Sequence, residues 1–125
     1  MDIAKQVNYW LKGGREDMAA ARSLLEKGHV RHALFFAHLA LEKTLKAHVT
    51  DYTKAVPPRI HNLTRLAEMT ALTLTAQQRA FLLTFDVHQL EGRYPDPKQA
   101  RITRKTGGRK IIQAEEMRKW LTAQL

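Results

Sequence analysis

Apolar residues recur along this chain at steps of three and four, and glycines and prolines divide the pattern into segments of helical length. The central segment is Val30–Val49, VRHALFFAHLALEKTLKAHV, which contains neither Gly nor Pro. Val30, Ala33, Leu34, Ala37, Leu41, Leu45 and Val49 form one row, and Phe36, Ala40 and Ala47 lie beside it. Together the rows make a stripe broad enough to be gripped from two sides, and the alanines allow a neighbouring helix to come close. His38, Glu42, Lys43 and Lys46 interrupt the run. His38 to Glu42 and Glu42 to Lys46 are each four residues apart, so each pair meets on one helical face. Spacing alone reads equally as a solvated edge of helical ion pairs or as a polar row at the mouth of an interhelical groove.

The flanking segments predict an all-α, up-and-down bundle of four to five helices with no strands, in one domain spanning residues 1–125. Asp2 caps one first helix over about 3–27, bent or frayed at Gly13-Gly14, the alternative being two helices with a break there. Gly28 supplies a left-handed end, and a short turn makes helices one and two an antiparallel hairpin. The second helix runs from about residue 29 to 50 or 51, and Pro57-Pro58 keeps the following connection extended. Asn62 opens a third helix. Thr75-Ala76-Gln77-Gln78 is a capping box for a fourth, which stops at Gly92. Residues 93–110 carry two prolines and Gly107-Gly108 and read as a long loop, with a last helix over about 113–123.

Composition narrows the chemistry. The 125 residues include no Cys, which excludes disulfides and thiolate zinc sites. No apolar run reaches the roughly 20 residues of a membrane span, and the N-terminus lacks the apolar core of a signal peptide, so a cytoplasmic protein away from membranes is expected. The net charge is +9, and much of it falls between Arg93 and Lys110. There Arg93, Lys98, Arg101, Arg104, Lys105, Arg109 and Lys110 face Asp96 alone. Such a patch attracts nucleic acid, nucleotide phosphates or an acidic protein; the plainer reading is that it keeps the chain soluble. The six histidines form no H-E-x-x-H pair, the one serine, Ser23, sits in mid-helix, and no P-loop is present. No metal, cofactor or nucleophilic triad is therefore expected.

Three pieces carry a family resemblance: HLALEKTLKA within the central run, His61-Asn62-Leu63 followed by Leu66, and Arg93-Tyr94-Pro95-Asp96. In this order the chain resembles the HEPN family, whose fold is a helical bundle. Many HEPN proteins are metal-independent ribonucleases with an Arg followed, four to six residues later, by a His. Arg93 stands at the corresponding place, but no His follows it, the last being His88. Arg31 and His38 have the gap but lie in the second helix. The RYPD-type sequence resembles instead a non-nuclease branch paired with a minimal nucleotidyltransferase in toxin–antitoxin-like systems. The resemblance implies a homodimer that binds nucleotide or RNA without turnover and has no catalytic residues. The ligand set expected is Arg93 and Lys46 for phosphate, Tyr94 for stacking, and Glu42, His61 and Asp96 around them, in one cleft between helices. The alternative for the same residues is a polar lock pinning the long loop to the bundle. A ribonuclease would need Arg93 with His61 or His88 as base; a structural interaction module would need neither.

Overall fold

The computed structural model describes residues 1–125 and is all-helical. Six helices follow in order: α1 Ile3–Glu26, α2 Val30–Thr53, α3 Leu63–Glu68, α4 Ala76–Phe85, α5 Val87–Arg93 and α6 Arg104–Ala123. The hairpin of α1 and α2 closes as expected. Gly28 takes φ +81° and donates to the Leu25 carbonyl, while the His29 N–H bonds the Leu24 carbonyl. This is the paired-bond ending that a left-handed glycine permits.

α2 is the axle of the bundle, with α1, α3, α5 and α6 all packed against it. Ala33, Leu34, Ala37, Ala40, Leu41, Leu45 and Val49 are buried along it. They join Met18 and Ala21 of α1, Leu63 and Leu66 of α3, Leu82 and Phe85 of α4, and Ile111, Ala114 and Leu121 of α6 in one core. Enclosure on several sides is why His38, Glu42, Lys46 and His48 are buried rather than forming a solvated edge.

Glycines set how closely the neighbours approach. A Cβ on Gly14 would lie 2.6 Å from Thr44 Oγ1, one on Gly107 2.5 Å from Val30 Cγ1, and one on Gly92 would overlap the Phe35 ring. Thus α1, α5 and α6 each turn a glycine toward α2, and each of these glycines is helical. α1 runs unbroken through Gly13-Gly14, as expected, but two other expectations are corrected: Gly92 does not end its helix, and Gly107-Gly108 lies inside α6 rather than in a loop. Thr103 caps α6 by accepting from the Thr106 N–H, so the connection shrinks to 94–103.

The expected fourth helix is divided. Asp86 separates α4 from α5, turning its carboxylate inward. The Thr84 hydroxyl adds to the bend by bonding the Ala80 and Phe81 carbonyls.

Candidate functional site

The expected ligand residues fall into two groups. The first is organised by α2 around buried Glu42 and Lys46, with His61 at its exposed edge. Lys46 Nζ donates to Glu42 Oε2 at 3.0 Å, and His61 Nδ1 donates to Glu42 Oε1 at 3.0 Å. Trp10 of α1 lies under the ammonium, its ring centroid 5.5 Å from Lys46 Nζ, so the N-terminal turns cover this cluster. His38 lies one turn earlier on α2, fully buried, with Nε2 donating to Asp86 Oδ1 at 2.9 Å and Nδ1 3.9 Å from Glu42. The Leu63 N–H donates to the same Asp86 oxygen at 2.9 Å.

The His61-Asn62-Leu63 sequence therefore divides its work between three neighbours. His61 holds Glu42, the Asn62 side chain caps α3 through the Arg65 N–H, and the Leu63 amide holds Asp86. Lys46 and Glu42 are committed to each other and almost wholly enclosed (7% and 4% exposed), which leaves neither free to meet a phosphate. This group is a lock joining α2, α3 and the α4–α5 junction; the lock expected of these residues, which pins the long loop to the bundle through Arg93, is not formed, because Arg93 lies apart on Gln89 and Phe35.

The second group lies at the end of the bundle where α2 and α6 begin and α5 ends. Arg93 is exposed. Its Nε donates to Gln89 Oε1, and its guanidinium carbon lies 5.1 Å from the centroid of the Phe35 ring. Phe35 precedes Glu42 by seven residues, so Arg93 rests about 10 Å up the α2 axis from the lock. Tyr94, which follows it, is 73% exposed. Asp96 folds its own turn, accepting from the Lys98 N–H, and lines a small cleft with Arg31, His88 and Glu91. The single cleft expected to unite Arg93 and Tyr94 with Glu42, Lys46 and His61 is not formed, because Phe35 and Gly92 seat the end of α5 near the start of α2.

The remaining basic residues surround this second group. Arg31 donates to the Gly92 carbonyl, and Arg104 to the Glu26 carbonyl at the end of α1. Lys98, Arg101, Lys105 and Arg109 are exposed. Lys110 reaches inward to His88, its Nζ 3.2 Å from Nε2. His88 is buried, and its pKa is pushed down to about 4, first by desolvation and then by the charge of Lys110. It is thus the neutral acceptor for Lys110, with Nδ1 turned toward Glu91 at 3.7 Å.

Asp86 and the inward role of His88 were not legible as site features. The one available signal was charge and imidazole in the TFDVHQL run, where helical periodicity predicts apolar neighbours. No group of His, Asp and Glu side chains is arranged to hold a metal ion, and no helix is long and apolar enough to cross a membrane.

Comparison with other proteins agrees with this architecture. TT1696 from Thermus thermophilus superposes with a TM-score of 0.82 at 20% identity, over 96% of this chain and 98% of its own. ST0689, described as an archaeal HEPN homologue, superposes with a TM-score of 0.74 at 21% identity, over 95% of this chain and 97% of its own. At such identities the likeness is one of fold. No curated protein matches the chain. The HEPN domain profile matches residues 7–124, so nearly all of α1 falls within it. This chain belongs to the HEPN domain family.

Proposed function

We infer that this HEPN protein binds the phosphates of a nucleotide or of RNA at the basic end of its bundle, without cleaving them. The observation that carries the reading is Arg93, an exposed guanidinium without a carboxylate partner, set on Phe35 beside exposed Tyr94. A guanidinium backed by an aromatic ring keeps its N–H fork directed outward and suits a bidentate phosphate contact. Tyr94 adjoins it as a face for base stacking. Lys98, Arg101 and Lys105 supply attraction at longer range. The helix dipoles decide little here: α2 and α6 begin at this end while α1 and α5 finish there, so side-chain charge sets the field.

The same end suits a protein partner. Leu83, Val87, Leu90 and Tyr94 recur at helical spacing along α4 and α5, and all are exposed. This stripe supports a homodimer or a complex with a minimal nucleotidyltransferase in a toxin–antitoxin-like pair, with the phosphate site at its edge. As for cleavage, His61 is bonded to Glu42 inside the lock, and His88 is buried against Lys110. Neither stands beside Arg93 as a free base.

The test is binding of fluorescently labelled single-stranded RNA and of ATP, with RNA integrity followed in EDTA. Salt-sensitive binding that weakens in Arg93→Ala and Tyr94→Ala, with the RNA left intact, is the expected result. Cleavage abolished by Arg93→Ala would overturn it in favour of a ribonuclease. No binding at low salt would leave an interaction module.

A further inference from the structure

The far end of the bundle holds a cleft that the basic end does not explain. It has a volume of about 560 Å³ and lies between the last turns of α2, the turn joining α3 to α4, and the last turns of α6. That volume suits a small organic ligand. His48, Asp51 and Tyr52 lie at spacings of three and four on α2 and share the face toward the cleft. Lys54 after α2, Thr73 of the turn, and Trp120 and Gln124 at the end of α6 line the rest of it.

The α2 wall offers two acceptors, while Lys54, Gln124 and the Trp120 indole bring donors to the rim. His48 Nε2 donates to the Leu121 carbonyl at 2.7 Å, which leaves the lone pair of the neutral ring on Nδ1. The ring is neutral at pH 7, because burial lowers its pKa from 6.5. His48 is 7% exposed, and Nδ1 has no partner within the protein, yet it is not sealed from solvent. The Asp51 carboxylate lies close enough for its charge to act on His48. Tyr52 and Trp120 offer aromatic faces.

We propose that this cleft binds a neutral planar heterocycle with an exocyclic amino group, stacked on Tyr52 and Trp120, its NH₂ donating to Asp51 and His48. An amino group carries two donors and the α2 wall offers two acceptors. Charge disfavours the other ligand classes. An anion would meet Asp51. A cation would approach a chain of net charge +9 and compete with Lys54, whose Nζ is 3.5 Å from Asp51 Oδ1. A neutral flat donor meets neither obstacle, and stacking does not depend on a charge of its own.

This site is independent of phosphate binding at the basic end, and its test uses a ligand without phosphate. Trp10→Phe leaves Trp120 as the single tryptophan, a fluorescent side chain shared by this cleft and the groove between α4 and α6, and substitutions at Asp51 and Tyr52 assign the signal to the cleft. In that background adenosine, titrated in high salt, is expected to quench Trp120 saturably. Purine riboside, which keeps the rings and the sugar but lacks the amine, is expected to bind about tenfold more weakly. Asp51→Asn and Tyr52→Ala alter exposed residues and leave the core alone, so both should fold; each is expected to weaken adenosine about tenfold. No saturable quenching by adenosine, equal binding of adenosine and purine riboside, or indifference to both substitutions would each overturn the proposal. Loss of RNA binding in Arg93→Ala with adenosine binding retained would show the two sites to be separate.

Discussion

The lock around Glu42 and the basic end around Arg93 are both built of charged side chains, yet they differ in every physical respect that matters. In the lock, α2, α3 and the α4–α5 junction converge, and polar groups meet at about 3 Å: Lys46 and His61 on Glu42, His38 and the Leu63 amide on Asp86, with only His38 Nδ1 and Asp86 Oδ2 left without a hydrogen bond. At the basic end, Arg93 has a glutamine and an aromatic ring, and Tyr94 is open to water. Burial makes an unpaired charge costly, so a charge that folding encloses is a charge that folding has paired. Exposure removes that demand and leaves the group available to a ligand. Availability for binding therefore depends on where a charge lies more than on what it is.

The contrast breaks most visibly at Asp86. Asp86→Ala leaves a fully buried His38 and a main-chain N–H without their acceptor, and should cost about 2–4 kcal/mol in urea unfolding. Asp86→Asn keeps one acceptor oxygen and should cost less. A destabilisation under about 0.5 kcal/mol for Asp86→Ala, the size of an ordinary surface change, would mean that the lock contributes nothing.

Close packing onto α2 gives the next largest effect. A Cβ at Gly14 meets Thr44 Oγ1 at 2.6 Å and the Ala40 carbonyl at 3.1 Å, so Gly14→Ala should destabilise by about 1–3 kcal/mol. At Gly13 the nearest atom is Cδ of the flexible Lys43 side chain at 3.0 Å. There Gly13→Ala should be neutral or stabilise by up to about 1 kcal/mol through helix propensity. Equal effects at the two positions, measured by thermal unfolding, would contradict the interhelical approach described above.

Acid probes the buried histidines. In the fold His88 resists protonation down to about pH 4, whereas in the unfolded chain it protonates near 6.5. Between these values the unfolded state holds more protons, so stability is full above pH 6.5 and falls as the pH drops toward 4. His48, also lowered by burial, acts in the same direction. His88→Gln should remove part of this slope, about one proton's worth at most, in unfolding measured from about pH 7 to pH 4. An unchanged slope would mean that His88 is not held neutral.

The smallest effect on stability and the largest on ligand belong to Arg93. Arg93→Ala should change stability by no more than about 0.5 kcal/mol while lowering RNA affinity and reducing the salt slope by about one. Lys46→Ala should do the reverse. If instead Lys46→Ala lowers affinity in a protein that remains fully folded, the two regions are not functionally distinct.

Much of the fold was legible from short-range pattern. The caps at Asp2, Asn62 and Thr75 and the left-handed Gly28 act where local chemistry places them. Glycine misled at positions 92 and 107, where it served packing between helices, because its local meaning is a turn and its meaning here is a neighbour at close range. The site was half legible. The Glu42–Lys46 pair follows from a spacing of four, but the separation of that pair from Arg93 rests on Phe35 meeting Gly92, far along the chain, where no periodicity reaches.

The sequence by itself determined most of the helical segments and the apolar face of α2, because helix formation and amphipathicity are properties of residues three and four apart, and its short motifs carried the HEPN resemblance. Only the tertiary structure decided which charges became lock and which remained free. His38 meets Asp86 across 48 residues and His48 meets the Leu121 carbonyl across 73. Such pairings are selected by the cost of enclosing a polar group unpaired, and that cost is set only when the helices close around it.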